Sequence, residues 1–451
     1  MRHAIPVGLI AACLLAPLPA SAQTANNLTA LKGLAPVTTL PNSPAGNAAL
    51  AANYVVTGGI QTGAIRLPTL LPFPDQRQQA LKDAFITGGN LADLADGLGT
   101  TLGSAYLARA HYVDRDRFTS VSQALADLIA YTNATSGSDS NSGKYFFANA
   151  TTDGKAPVSD EAAAILKDDA GVVDVFGKQY GHPAGAVGAG PYGNSRPFQT
   201  EPTVATITGP DYFNAPSDNT VYNRGPTMNL IASPSYPSGH TTYGYSGSLL
   251  LAILIPGRYQ QMVARGAEYG NDRIILGAHY AMDVLGGRTL AAYDLAHLLA
   301  NDPAYVNQTL RGAPVIANYQ AAVKTAQADL TALLQTGCGN PVPLCAHEDT
   351  GRFSDPAQNE AFYIATQTYS LPVVYAKNAD RLENVGDIAH EAGFLLTTAF
   401  PSLTLDEADQ ILTETEGPGG GFLDDGSAFG VYSRLNLYAA AGKAAQRAAA
   451  K

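Results

Sequence analysis

From about residue 76 onward, apolar positions recur three and four apart, the spacing of one face of an α-helix. "DQRQQALKDAFITGGNLADLADGLGTTLGSAYLARAHYVDRD" and "RFTSVSQALADLIAYTNAT" carry the pattern, and "SGSDSNSGK" then reads as a loop. "SDEAAAILKDDAGVVDVFGKQYG" opens on Ser159 followed by acidic residues, a good helix start. Residues 181–225 are mostly Gly, Pro, Asn and Tyr, which predicts a long irregular segment of the kind that tends to carry function. The pattern predicts helices again at 241–255, 257–270 and about 272–300. "PVIANYQAAVKTAQADLTALLQTG" predicts a further helix, ended by Gly337. Beyond it, "NADRLENVGDIAHEAGFLLTTAF" and "TLDEADQILTET" read as helical and "GPGGGFLDDGS" as a turn. Few runs alternate as strands do and no internal repeat is evident, so the fold class is mainly α.

The ends of the chain refine this picture. "MRHAIPVGLIAACLLAPLPASA" has a basic start at Arg2, a short apolar stretch and a small-residue end, Ala20-Ser21-Ala22. That is a secretory signal of bacterial appearance, cut before Gln23, which places the mature protein in the periplasm or outside the cell. The expected division is 1–22 signal peptide, 23–75 loosely ordered lead-in, 76–310 helical core and 311–451 C-terminal helical extension. "LLLAILIP" is the longest remaining apolar run, far short of the roughly 20 residues a membrane helix needs. In an oxidising compartment Cys338 and Cys345, in "GCGNPVPLC", should pair as a disulfide. A zinc reading is weak: the spacing fits no motif and only His347 lies nearby. The net charge of −11 and the lack of a basic block exclude a nucleic-acid partner. A phosphate site must then be a local concentration of positive charge against an unfavourable average.

Three islands carry candidate chemistry: "YGNSRPF" with Arg196-Pro197, "SPSYPSGH" ending at His240, and "NDRIILGAHYAMDVLGG" with Arg273, His279 and Asp283. His279 and Asp283 are four apart and would share a helix face. The carboxylate would then fix one imidazole tautomer and leave the other nitrogen a free lone pair. Arg273 would hold an anion beside that lone pair from a helix start. In the second island, Gly239 admits a ligand close to the backbone and Ser238 adds a hydroxyl. The N–H groups of a helix start form an anion site, with His240 at its mouth. Taken singly, each island has an ordinary reading: a surface His–Asp contact, a solvated arginine, a capping turn.

Together, in this order and at these separations, they resemble the type 2 phosphatidic acid phosphatase superfamily. That group holds class A bacterial acid phosphatases, lipid phosphatases, glucose-6-phosphatases and vanadium haloperoxidases. Its pattern is a Lys, six residues, Arg-Pro, then Pro-Ser-Gly-His, then Ser-Arg, five residues, His, three residues, Asp. Arg196-Pro197, Pro237 to His240, Arg273, His279 and Asp283 match it, over about 90 residues. The C-terminal segment from "TTAFPSLTLDEADQILTET" onward also resembles longer secreted bacterial members. The resemblance implies a helical-bundle core and an exported phosphatase acting on small phosphate monoesters without a metal or other cofactor. In that scheme His279 attacks phosphorus, Asp283 orients it and His240 serves as acid and then base. Arg196, Arg273, Ser238 and the Gly239 N–H would hold the phosphoryl oxygens. Relatives often dimerise, so a homodimer is an expected assembly.

Two departures stand out. Asp272 replaces the serine before Arg273 and puts an acid beside the site, and the family lysine falls at Ala189, inside "GAVGAGPYG". A loop insertion there would leave Lys178 or Arg224 to fill the role. Two alternatives follow: a haloperoxidase that holds vanadate on His279, and a non-catalytic phosphate-binding protein. Elsewhere, His390-Glu391 reads as a helix surface pair without the second histidine of a zinc-protease motif, and "DEADQ" lacks the spacing of a calcium loop.

Overall fold

A computed structural model describes residues 25–451 apart from 67, 86–88, 149–159, 169–170, 203, 226–227 and 348–349. The signal-like segment and the Ser159 cap lie outside the described residues. Helices span Ala25–Leu34 (α1), Pro44–Thr62 (α2), Phe73–Lys82 (α3), Thr100–Leu107 (α4), Gln123–Phe146 (α5), Asp160–Asp168 (α6), Val175–Gln179 (α7) and Pro197–Thr200 (α8). A short antiparallel pair, Thr208–Pro210 (β1) with Pro216–Asp218 (β2), aligns Thr208 with Asp218 and leads into Asn219–Arg224 (α9). Then come Gly239–Leu254 (α10), Tyr259–Ile275 (α11), Ala281–Leu299 (α12), Tyr319–Cys338 (α13), Val342–Cys345 (α14) and Pro356–Thr368 (α15). Further helices follow at Leu405–Glu414 and Leu437–Ala449. The fold is mainly α, as the periodicity indicates.

At the centre, α10 is buried on every side, from His240 to Leu254, its polar first half as fully as its apolar second half. Around it pack α5, α11, α12 and α13, and one apolar core runs without a break from Ala30 to Ala444. The C-terminal extension therefore shares that core. Its Arg288–Tyr363 contact, 4.3 Å from guanidinium carbon to ring centre, is one of the ties. Cys338 and Cys345 are joined by a disulfide that closes the loop after α13.

Three readings of the sequence need correction. The lead-in is not loose: α1 and α2 bury Leu31, Leu34, Ala49 and Leu50, and Ser43 caps α2 by accepting from the Gly46 N–H at 3.0 Å. It also supports the start of α12. The Thr57 hydroxyl accepts from the Ala281 N–H at 3.1 Å and the Asn53 side chain from the Met282 N–H at 2.9 Å, satisfying two first-turn donors of α12. Second, "SGSDSNSGK" is not a loop but the C-terminal part of α5. Its small residues let the helix come close to its neighbours. The Ser136 and Ser246 hydroxyls meet at 3.0 Å, and a Cβ on Gly143 would stand 3.0 Å from Pro237 Cδ. Packing outweighs the weak helix propensity of serine and glycine here. Third, residues 378–400 break into short turns, where side chains such as Asn384, bonded to Asp387 at 2.7 Å, compete with the helical ladder.

Candidate active site

Each of the three sequence islands lies at the end of a helix. Arg196 is the N-cap of α8, its own N–H held by Gln199 Oε1 at 2.8 Å. The loop before it is gathered by Asp174, which accepts from the Asn194 and Ala184 N–H groups. Asn194 in turn donates to Tyr236 O at 3.0 Å, tying this loop to the Pro-Ser-Gly-His turn. Ser238 is the N-cap of α10 and accepts from the Thr241 N–H at 3.2 Å. The capping and anion-site readings of "PSGH" are thus compatible: the hydroxyl accepts from the helix and keeps its own proton to donate.

The third island differs from its sequence reading. Arg273 sits in the last turn of α11, not at a helix start. His279 is not on a helix at all. It lies in the turn between α11 and α12, a turn made possible by Gly277 at φ 72°. Asp283 is in the first turn of α12 and reaches back to the Tyr280 N–H at 2.9 Å. His279 Nδ1 stands 3.3 Å from Asp283 Oδ2, and the Ser235 hydroxyl donates to the same oxygen. The contact that helical spacing suggested is therefore present by a different route.

The geometry also fixes the tautomer. Arg196 Nη1 lies 2.8 Å from His279 Nε2, and a guanidinium can only donate. Nε2 must accept, so the ring proton is on Nδ1, facing Asp283. The remaining Arg196 bonds go to Ser233 O at 2.7 Å, Ala278 O at 3.0 Å, Pro234 O at 3.1 Å and the Ser233 hydroxyl at 3.2 Å. This one side chain therefore ties the α8, α10 and α12 entry loops together. The His240 and His279 ring centres are 6.5 Å apart. Arg273 donates to Asp83 O at 2.9 Å, while its buried Nε has no hydrogen-bond partner.

Neither candidate for the absent lysine enters the site. Lys178 is exposed on α7, and Arg224 is exposed, stacked 4.8 Å over Phe198 and donating to its carbonyl. The ammonium comes from Lys144, in the last turn of α5, with 6% of its surface exposed. A Cβ on Gly239 would stand 3.0 Å from Lys144 Nζ, which is a reason for glycine there. No motif signals Lys144. Only a reading of "SGSDSNSGK" as helix would have turned it inward. Asp272 is also placed differently from expectation: it accepts from Gln76 at 2.6 Å and lies with Asp83 and Glu268, off the cradle.

Three cations, Lys144, Arg196 and Arg273, thus face one carboxyl group, Asp283, all of them buried. Burial pushes the Lys144 ammonium down to about 7, with Arg196 adding to the effect and Asp283 opposing it. His240 and His279 are held well below the usual imidazole range by burial and by these same cations. Burial raises Asp283 to about 7 against the hydrogen bonds from Ser235 and the Tyr280 N–H. The site is short of negative charge, and a bound oxyanion would supply it. The 280 Å³ cavity beside Lys32, Tyr293 and Phe429 contains none of these residues.

Residues 192–303 match the family model described as the PAP2 superfamily. This segment is similar to the PAP2 superfamily. The matched segment begins just before Arg196 and takes in all three islands, whereas Lys144 lies outside it. A non-specific acid phosphatase of Salmonella typhimurium is 47% identical over 69 residues, 15% of this chain and 28% of that protein. An acid phosphatase of Zymomonas mobilis is 47% identical over 64 residues, covering 14% and 24%. A non-specific acid phosphatase of Providencia stuartii is 39% identical over 72 residues, covering 16% and 29%. The chain thus spans less than a third of the length of these curated relatives.

Proposed function

We propose that this chain is an exported acid phosphatase that hydrolyses small phosphate monoesters through a phosphohistidine on His279. The observation that carries the reading is the Arg196–His279 contact. It leaves the proton on Nδ1 beside Asp283 and keeps Nε2 unprotonated, its lone pair accepting from Arg196 until a phosphoryl group draws that guanidinium to its own oxygens. The named activity of the similar acid phosphatases supports it.

In this scheme the phosphoryl group lies among Lys144, Arg196, Arg273, the Ser238 hydroxyl and the Gly239 N–H. Phosphoryl transfer is governed by positioning and charge neutralisation, and these groups supply both. His279 Nε2 forms a bond to phosphorus as the ester P–O bond breaks. The imidazole becomes cationic, and Asp283 stabilises it as a carboxylate. His240 gives its proton to the departing alkoxide, then takes one from the water that releases phosphate. Its pKa is low in the empty cradle because it is buried beside cations. A bound phosphate dianion cancels that repulsion and lets His240 hold the proton it must donate, which favours catalysis on the acid side of neutrality. The scheme asks for no metal. Export rests on the signal-like residues 1–22 and agrees with the Cys338–Cys345 bond.

The test is direct. Wild type should release phosphate from p-nitrophenyl phosphate with chelator present. Rapid quenching in alkali should trap one phosphoryl group per chain, absent in His279→Ala. Turnover without that adduct would sink the covalent scheme. The presence of Lys144 also keeps the haloperoxidase reading testable, since that chemistry calls for a lysine. Bromide oxidation with added vanadate and peroxide would favour it, and simple inhibition by vanadate the phosphatase.

A further inference from the structure

A ring nitrogen of His240, the proposed acid, is covered in this structure. His240 Nε2 lies 2.9 Å from Met228 Sδ. Met228 is half-buried, packs against the main apolar core and follows α9 by four residues. The chain just beyond it is fastened to the site. Leu230 N–H donates to Asn223 O at 3.1 Å, Gln199 donates to Ile231 O at 2.9 Å, and the Ser233 and Pro234 carbonyls accept from Arg196. Met228 is thus the apolar side chain that covers His240 Nε2 at the head of that anchored stretch.

A thioether is at best a weak hydrogen-bond acceptor and takes no proton from imidazole. An ester oxygen must approach Nε2 to roughly 2.6–3.2 Å to be protonated, which is the space the sulfur fills. Substrate and Met228 Sδ therefore exclude each other at this point. Methionine, unbranched and with three rotatable bonds, can swing aside at little cost and re-pack against whatever displaces it. The group that displaces it is the organic part of the ester, attached to the oxygen being protonated.

Resting on the phosphatase reading, we infer that Met228 determines leaving-group specificity: it yields to the ester's organic group and then packs against it, favouring aryl and other apolar groups over small hydrated ones. Phosphate itself is held by Lys144, Arg196 and Arg273, and Met228 packs on the organic group beyond the ester oxygen.

The experiment is a panel of naphthyl, phenyl and glycerol phosphates with wild type, Met228→Ala and Met228→Leu, together with vanadate affinity from inhibition. In Met228→Ala, kcat/KM for the aryl esters should fall about tenfold relative to glycerol phosphate, the scale of a lost apolar contact. Met228→Leu should keep the aryl preference, and vanadate affinity should stay within about twofold in both variants. An equal change for every ester, or a parallel loss of vanadate affinity, would overturn the assignment and leave Met228 a structural residue. A wild type inert toward the whole panel would overturn the phosphatase reading and this one with it. An active wild type whose Met228→Ala variant keeps the same ester preference would overturn this one alone.

Discussion

Two clusters of buried arginine stand close together in this molecule and differ in one respect. In the first, Arg265 is fully buried. It meets Asp83 through Nη1 at 2.6 Å and Nη2 at 2.8 Å, and Asp96 through Nε at 2.7 Å. Arg352, from the C-terminal extension, meets Glu268 at 2.8 Å and Asp96 at 2.6 Å. Every guanidinium there has carboxylate partners, and the network binds α11 to the segments before α4 and after α14. In the second cluster, Arg196 and Arg273 bond mainly to carbonyl oxygens, which orient a guanidinium without neutralising it, and Lys144 adds a third charge. Matched charge holds the fold together; unmatched charge in a fixed frame selects an anion. Arg265 and Arg273 lie two helical turns apart on α11, so residue type and burial alone do not tell them apart.

The comparison can be attacked at several points. The largest effect should be on turnover: His279→Ala should lose at least about a thousandfold in kcat, measured as phosphate release, while thermal unfolding changes little. Next, Arg265→Met should cost about 3–5 kcal/mol in denaturant unfolding, because it strands buried Asp83. Arg273→Met should cost clearly less stability yet lower kcat/KM about a hundredfold or more. Equal stability losses for the two would erase the distinction. Third, phosphate at a hundred times its dissociation constant should stabilise wild type by about 2.7 kcal/mol. Lys144→Met should need a higher phosphate concentration for the same melting shift, and Arg352→Met should not. The last effect is on pH dependence. Lys144 is lowered to about 7 in the folded chain, so above neutrality the unfolded chain binds more protons there than the folded one. Stability from this group should therefore rise with pH between about 7 and the ordinary lysine range, by at most about 1.4 kcal/mol per pH unit. Denaturant midpoints between pH 7 and 9 should show the rise in wild type and a flatter profile in Lys144→Met.

Much of the site was legible because its chemistry is compressed into short motifs. Arg196, Ser238, Gly239, His240, Arg273, His279 and Asp283 are all brought together, and their residue types state their task. The apolar period likewise marked α10, α11 and most of α12. What escaped was whatever depends on long-range packing. The Ser/Gly part of α5 has poor helix propensity and becomes helical because small residues allow close contact with α10 and Pro237. Misreading that stretch hid Lys144. The Ala- and Asn-rich lead-in looked loose because its polar side chains have no purpose until Asn53 and Thr57 meet the start of α12. His279 was assigned to the right neighbour for the wrong local reason, since an i, i+4 pair can arise from a turn as well as from a helix.

That the third ammonium is carried on α5, some fifty residues ahead of Arg196, makes the pocket's charge depend on how α5 packs. A chain whose α5 has not yet docked would already hold every recognisable signature, yet its anion pocket would stay electrostatically incomplete. The pocket would then gain its full charge only once α5 packs against α10, so a partly folded chain should hold an oxyanion more weakly than the folded one.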